Sequence, residues 1–580
     1  MQKHAVAETG KRRYKFVTAE KSGGATYTPS GLADFVAQQI INVLPEQRSK
    51  PLRVLDPAIG EGALLVSLLR KLEEKGFAKT EVYGFETDPD SLALAGQRLR
   101  DLYPCVRFNL LAQDFLEFVE PESHRAPLFV AAEQEDQHFD VIIANPPYVR
   151  TQVLGADHAQ ALAKSFGLVG RADLYHAFVL AMVRALGPEG VAGIIVSNRF
   201  MSTRSGARVR SILREDVALR HIWDLGDTKL FDAAVLPAVL VLQKSEKPQL
   251  IATRFSSIYE TSEPATVTAQ GPLDALRHEG PVATSDGRRF MVVHGRLDWA
   301  SDSADVWRVA TEANDLWLKT VLANTWLRFG NVGSIRVGIK TCADGVYIRN
   351  DWHEMSEDDR PELLYPLTTH HVARRFRAND GNSRRQVLYP HASVRGQRTA
   401  VNLDDYPRTA AYLAKHRFQL ESRSYVLEAG RNWYEIWVPQ DPASWQYPKL
   451  VFRDISEDPV FWLDLDGTIV NGDCYWLQPR DHFGTDVLWL ASAVANSHFV
   501  EEFYDHSFHN KLYAGRRRFM TQYVERFPLP APDKPESRRA IECAKRIYST
   551  PDDAPAAQAL QQEINLLVRR AFGLCEEVSR

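Results

Sequence analysis

The sequence predicts an α/β fold over residues 53 to 247: a doubly wound parallel sheet covered by helices. Two observations predict it. Short apolar runs alternate with amphipathic stretches across this span, the pattern of buried parallel strands taking turns with surface helices. Four successive runs are also closed by groups suited to holding a ligand: a glycine-bearing turn, two acids and an Asn-Pro-Pro-Tyr corner. Ligands of such sheets bind at the carboxyl ends of the strands.

Arg53-Val54-Leu55-Asp56 reads as the first strand. Pro57-Ala58-Ile59-Gly60-Glu61-Gly62-Ala63 turns the chain into a helix starting near Leu64. Gly60 and Gly62 let backbone approach a ligand, because no Cβ stands in the way; a plain strand-to-helix turn reads the same. Val82-Tyr83-Gly84-Phe85 is the second strand and ends in Glu86. An acid there, about 20 residues past a glycine turn, suits ribose hydroxyls. Asp88, ahead of the helix from Ser91, suits a cap. A third strand near Val106 to Leu110 leads to Asp114 and Phe115. These suit an adenine amino group and the face of its ring.

Val141 to Ala144 form the fourth strand, which runs into Asn145-Pro146-Pro147-Tyr148. Two prolines stop it abruptly and hold the next residues rigid. Such dipeptides also punctuate ordinary loops; the company of the other three strand ends argues for a site. Ala172 to Leu186 is an amphipathic helix, and Pro188-Glu189-Gly190 turns into a fifth strand, Val191 to Ser197. His221 to Leu225 starts a sixth, with Ala238 to Gln243 as its hairpin partner. Phe231, between them, reads by itself as core.

At 580 residues the chain is too long for one core. Its 44% apolar and 25% charged residues are ordinary for soluble proteins. No apolar run reaches the length needed to cross a bilayer, and the N-terminal segment lacks the apolar core of a secretory signal. Five scattered cysteines, without CxxC or His/Cys spacing, fit a reducing cytoplasm and argue against zinc. A net charge of -4 does not announce a nucleic-acid binder, so any such surface must be local.

In motif order and content, the chain resembles the γ-class, Taq-type DNA adenine-N6 methyltransferases. The residues that carry the resemblance are Thr26-Tyr27-Thr28-Pro29-Ser30, Leu55 to Gly62, Glu86, Asp114-Phe115, Asn145-Pro146-Pro147-Tyr148 and Lys229-Leu230-Phe231-Asp232. It implies a class I S-adenosylmethionine (AdoMet)-dependent methyltransferase fold, Rossmann-like with seven strands. Thr28, Asp56, Pro57, Ala58, Gly60, Gly62, Glu86, Asp114, Phe115 and Asn145 are then expected to bind AdoMet. Asn145, Pro146, Pro147 and Tyr148 are expected to be catalytic, and Tyr148 with Phe231 to stack on the target base. No metal is expected.

The second half resembles that family's target-recognition region in 334–348, 447–456 and 508–532. Over 331–530, 24 Lys/Arg face 26 Asp/Glu, so the region is not basic as a whole. Residues 371–400 nevertheless hold seven arginines and one acid. Arg336, Lys340, Arg374, Arg375, Arg377, Arg384, Arg385, Lys511, Arg516, Arg517 and Arg518, with Arg150 beside the corner, are expected to contact double-stranded DNA through phosphates or guanines. The expected organisation is a flexible arm (1–24), a catalytic domain (25–247), a connecting region that is partly strand (248–310), a mixed α+β target-recognition domain (311–532) and C-terminal helices (533–580).

A cytoplasmic monomer serving a restriction-modification system is expected, with its endonuclease encoded nearby. No nuclease-sized stretch precedes residue 25, so methylation without cleavage is the expectation. Other planar amines remain alternatives: guanine in ribosomal RNA, glutamine in protein or N4 of cytosine. So does an inactive DNA-binding subunit.

Overall fold

The computed structural model describes residues 28–45, 50–77, 79–119, 138–149, 156–168, 173–230, 236–245, 252–299, 306–379, 385–508, 516–551 and 554–574. The chain divides into two compact units, one reaching Thr311 and the other starting at Glu312.

The first unit is built on β1 (Leu52–Asp56), β2 (Thr80–Phe85), β3 (Arg107–Leu111), β4 (Phe139–Ala144), β5 (Leu186–Ser197), β6 (Val217–Asp224) and β7 (Pro237–Lys244), in the order β3-β2-β1-β4-β5-β7-β6. Strands β1 to β5 run parallel, and β7 lies antiparallel between β5 and β6. The carboxyl ends of the first five strands therefore share one edge. Alternate side chains feed two cores, as the period of two requires. Val54, Val82, Val141 and Ile143 meet α1 (Ser30–Val43), α2 (Ala63–Glu74) and α3 (Pro89–Leu102) on one face. Leu55, Phe85, Ile142 and Ala144 meet helix Leu174–Ala185 on the other. Gly193 of β5 lets α1 sit close, since a Cβ there would come within 2.7 Å of Ile40.

Within this unit the course of the chain departs from expectation in two places. The turn at Pro188-Glu189-Gly190 is an irregularity inside β5, with Glu189 at φ 57° and a register shift against β4. The segment 248–310, expected as a connecting region that is partly strand, belongs to the first unit. It supplies β8 (Arg254–Glu260), β9 (Val267–Ala269), β10 (Gly280–Thr284), β11 (Arg289–Asp298) and β12 (Arg308–Ala310), which widen the sheet to 12 strands. Polar residues hid this. Ser256 is 1% exposed, yet it lies between the His221 and His294 rings at 2.9 and 2.8 Å. Paired hydroxyls of this kind bury without showing as an apolar run.

The second unit is mixed α+β. Strands Gly333–Val337, Cys474–Pro479, Lys449–Arg453 and Phe461–Asp464 form an antiparallel sheet over a core that includes Trp352, Trp445, Trp462 and Trp476. Helices Pro535–Tyr548 and Pro555–Ala571, expected as a separate C-terminal stretch, belong to this unit and pack against Asp486–Ala495. Among the described residues no helix is long and apolar enough to cross a membrane, and no cluster of three or more His, Cys, Asp or Glu could hold a metal ion.

Candidate active site

At the end of β1, Asp56 is fully buried. Its Oδ1 accepts from the Ala58 amide at 3.1 Å, and its Oδ2 has no partner among the described residues. Burial pushes the carboxyl up to about 7; the Ala58 amide opposes the rise and the charge of Glu86 adds to it. The turn Pro57-Ala58-Ile59-Gly60-Glu61-Gly62 needs both glycines, at φ 49° and 78°. The space beside Gly60, where a Cβ would stand, is empty to 4 Å.

Glu86, closing β2, clamps this turn: its Oε2 accepts from the Gly60 amide at 3.1 Å and its Oε1 from the Asp88 amide at 3.0 Å. Asp88 caps α3 through Ser91 at 3.1 Å. Asp114, after β3, accepts from the Leu116 amide at 2.8 Å and so starts the short helix Phe115–Val119. Phe115 differs from its expected place beside an adenine ring. It is 1% exposed, and its ring packs 5.3 Å from Phe85 and 6.2 Å from Phe178, inside the core. A phenylalanine at the first turn of a helix lying on the sheet gains more from that apolar neighbourhood than from the open edge.

The corner after β4 stands next to β1, whose Val54 and Leu55 pair with Val141 and Ile142. Asn145 Nδ2 donates to Thr28 Oγ1 at 3.0 Å, and the Tyr148 hydroxyl donates to Asn145 Oδ1 at 2.9 Å. The amide is thereby held in one orientation. The Pro146 carbonyl accepts no hydrogen bond among the described residues. Burial raises the Tyr148 phenol above its ordinary pKa, so it stays neutral. Its ring lies 6.1 Å from that of Tyr175, and the Leu174 amide donates to the Val149 carbonyl at 2.8 Å, tying the exit of the corner to helix Leu174–Ala185. Sequence reasoning assigned Thr28 to a cofactor and gave Tyr175 no role. The Thr28–Asn145 bond spans 117 residues, and no local signal announces a contact of that kind.

The expected DNA contacts fare unevenly. Arg517 is 11% exposed and forks onto Asp505 at 2.9 and 2.8 Å, while Arg518 forks onto Asp454 at 3.1 Å twice. Both are internal ion pairs, because the strands and helices around them bring acids within reach that sequence distance concealed. Arg375 pairs with Asp458 at 3.5 Å, and Arg377 donates to the Tyr548 carbonyl at 3.4 Å. Arg336, Lys340, Arg374, Arg385 and Arg516 are exposed. Phe231, Arg150, Arg384, Lys511 and the 1–24 arm lie outside the described residues.

The chain is similar to known proteins over most of its length. A family model described as Eco57I restriction-modification methylase matches residues 76–231. The type II methyltransferase M.BanIII of Aneurinibacillus aneurinilyticus is 36% identical over 570 residues, covering 96% of this chain and 98% of that protein. M.BstVI of Geobacillus stearothermophilus, also a type II methyltransferase, is 25% identical over 88% of this chain and 90% of its own. A solved nuclease-deletion mutant of the type ISP restriction-modification enzyme LlaGI, in complex with a DNA substrate mimic, shares the fold at a TM-score of 0.53 and 14% identity, covering 90% of this chain and 54% of that one. The parallel sheet with its antiparallel β7 is thus the class I methyltransferase fold that the sequence predicts, and the chain belongs to the family of type II restriction-modification DNA methyltransferases.

Proposed function

We propose that the protein transfers a methyl group from AdoMet to the N6 amine of an adenine rotated out of duplex DNA, protecting that DNA from a partner endonuclease. The observation that carries this reading is the corner after β4, where an oriented amide oxygen and an uncommitted proline carbonyl stand beside a neutral tyrosine. Adenine's exocyclic nitrogen is a poor nucleophile, because its lone pair is delocalised into the ring. Asn145 Oδ1 and the Pro146 carbonyl accept from its two N–H groups and favour the pyramidal nitrogen that attacks. Pro146 and Pro147 hold the two acceptors at a fixed angle, so little reorganises during the reaction. The proton lost from the methylated amine passes to water.

Rotating the base out costs a few kcal/mol. Stacking on Tyr148, and on Phe231, returns about 1–3 kcal/mol per base. The donor fits the neighbouring strand ends. Asp56, whose buried Oδ2 is unpartnered, would hold the ammonium of its methionine part, the open space at Gly60 would leave room for it beside the turn, and Glu86 and Asp114 would hold its ribose and adenine. When bound, AdoMet supplies a sulfonium methyl, and in-line placement contributes much of the rate.

In the second unit, Ser334, Arg336, Gln478 and Arg480 line an open groove of about 410 Å³, suited to a DNA strand. Sequencing DNA from a host with and without the gene tests the whole reading. N6-methyladenine at one recurring site is expected, and Asn145→Ala is expected to lower methylation by about 10²–10³-fold. Methyl groups appearing only on cytosine, RNA or protein would refute it.

A further inference from the structure

The segment that leaves β5 at the carboxyl edge, beside the corner, is anchored from below. Asn198 is 8% exposed, and its Nδ2 donates to Asp224 Oδ1 at 3.0 Å and to the Tyr259 hydroxyl at 3.1 Å. That hydroxyl in turn donates to Asp224 Oδ2 at 2.7 Å. Arg210, 1% exposed, donates to the carbonyls of Phe200 at 2.5 Å and Thr203 at 2.9 Å. Gly206 lies so close to Phe200 that a Cβ would come within 2.1 Å of its carbonyl oxygen. A buried charge and a buried amide network are expensive to assemble. Here they hold a surface segment in one conformation.

That segment carries unneutralised positive charge. Residues 198–214 hold five arginines and no acid. Arg199, Arg204 and Arg208 are exposed, and none has a side-chain ion pair or hydrogen bond among the described residues. An exposed arginine is ordinarily just solvated, but Arg199 is placed by the network. It comes directly after Asn198, and it is one ring away from the corner. The Tyr175 hydroxyl donates to the Ser197 carbonyl at 3.4 Å, and the Tyr175 ring is 6.1 Å from Tyr148. Burial raises the Tyr175 phenol well above its ordinary value, the charge of Asp173 adds to the rise, and the nearby charge of Arg199 opposes it. A nucleotide rotated out against Tyr148 brings its two phosphodiesters to this edge, and a guanidinium fork matches phosphate geometry.

We propose that Arg199 binds a phosphate flanking the rotated-out nucleotide, with Arg204 and Arg208 extending the track along the same strand; this rests on the base-rotation reading of the corner. The test uses the full-length protein and a short duplex carrying the methylation site mapped in host DNA. The duplex is native or has one uncharged methylphosphonate on either side of the target adenine. Arg199→Ala weakens binding to the native duplex by about tenfold and lowers the slope of log K against log salt by roughly 0.9. On the duplex with the matching neutral linkage the variant and the wild type bind alike. Arg199→Lys restores part of the loss, while AdoMet binding and the thermal midpoint stay at wild-type values. If Arg199→Ala costs the same on native and neutral duplexes, or nothing on either, the phosphate seat is refuted. If the wild type methylates none of these duplexes, the adenine reading itself has failed.

Discussion

At the scale of the residue, Asp56 gives the site a pH dependence whose sign comes from its surroundings. Its folded pKa is raised to about 7 from 3.8, so the ionised form is disfavoured in the absence of a cation. An ammonium beside Oδ2 requires that form, and AdoMet affinity is therefore expected to fall about tenfold per unit as pH drops from 7 towards 5. Calorimetric titration over this range checks it, and Asp56→Asn should flatten the profile while weakening binding. Without ligand the sign reverses: the raised carboxyl costs stability as pH rises from about 4 to 7. Tyr148 makes a second case. Tyr148→Phe keeps a ring for stacking but removes the hydroxyl that orients Asn145. One net hydrogen bond, about 0.5–1.5 kcal/mol, predicts a two- to tenfold slower single-turnover rate with little change in DNA affinity.

At the scale of the element, the second unit's antiparallel sheet depends on a buried ion pair. Lys449 and Asp464 face each other across neighbouring strands, their side chains 0% and 4% exposed and 2.9 Å apart. Burial lowers the Lys449 pKa and Asp464 works against that. Lys449 Nζ also donates to the Trp445 carbonyl at 2.7 Å, and Asp464 accepts from Thr468. Asp464→Asn leaves the ammonium buried without its counter-charge and should cost about 3–5 kcal/mol in urea denaturation, more than joint replacement of both residues by apolar ones. This pair also marks how far elements were legible. Strands β1, β2 and β4 announce themselves because both faces of each are apolar. Strand β8 buries serines and the sheet around Lys449 buries charges, so their partners had to be seen before their burial made sense.

At the scale of the whole molecule, each of the two units has its own core, and every residue assigned to AdoMet lies in the first. Scanning calorimetry should therefore resolve two transitions. AdoMet at 100 times its dissociation constant should stabilise the first unit by about 2.7 kcal/mol and leave the second where it was. A shift of both, or of the second alone, would contradict the assignment. With a net charge of -4, DNA binding must come from local arginine surfaces, so its salt dependence should track the few exposed cations.

By itself the sequence determined the parallel order of strand, turn and helix, the groups that end each strand, and the diproline corner. All of these are local: hydrophobic period, proline stereochemistry and glycine's access to positive φ act within a few residues. Tertiary structure decided the rest. It brought Thr28 to Asn145, sent Phe115 into the core, paired Arg517 and Arg518 with acids, joined the strands of 248–310 to the first unit's sheet and placed Arg199 on a buried scaffold. In each case the outcome depends on which distant groups meet, and a hydrogen bond or ion pair between residues tens of positions apart leaves no periodic trace in the chain.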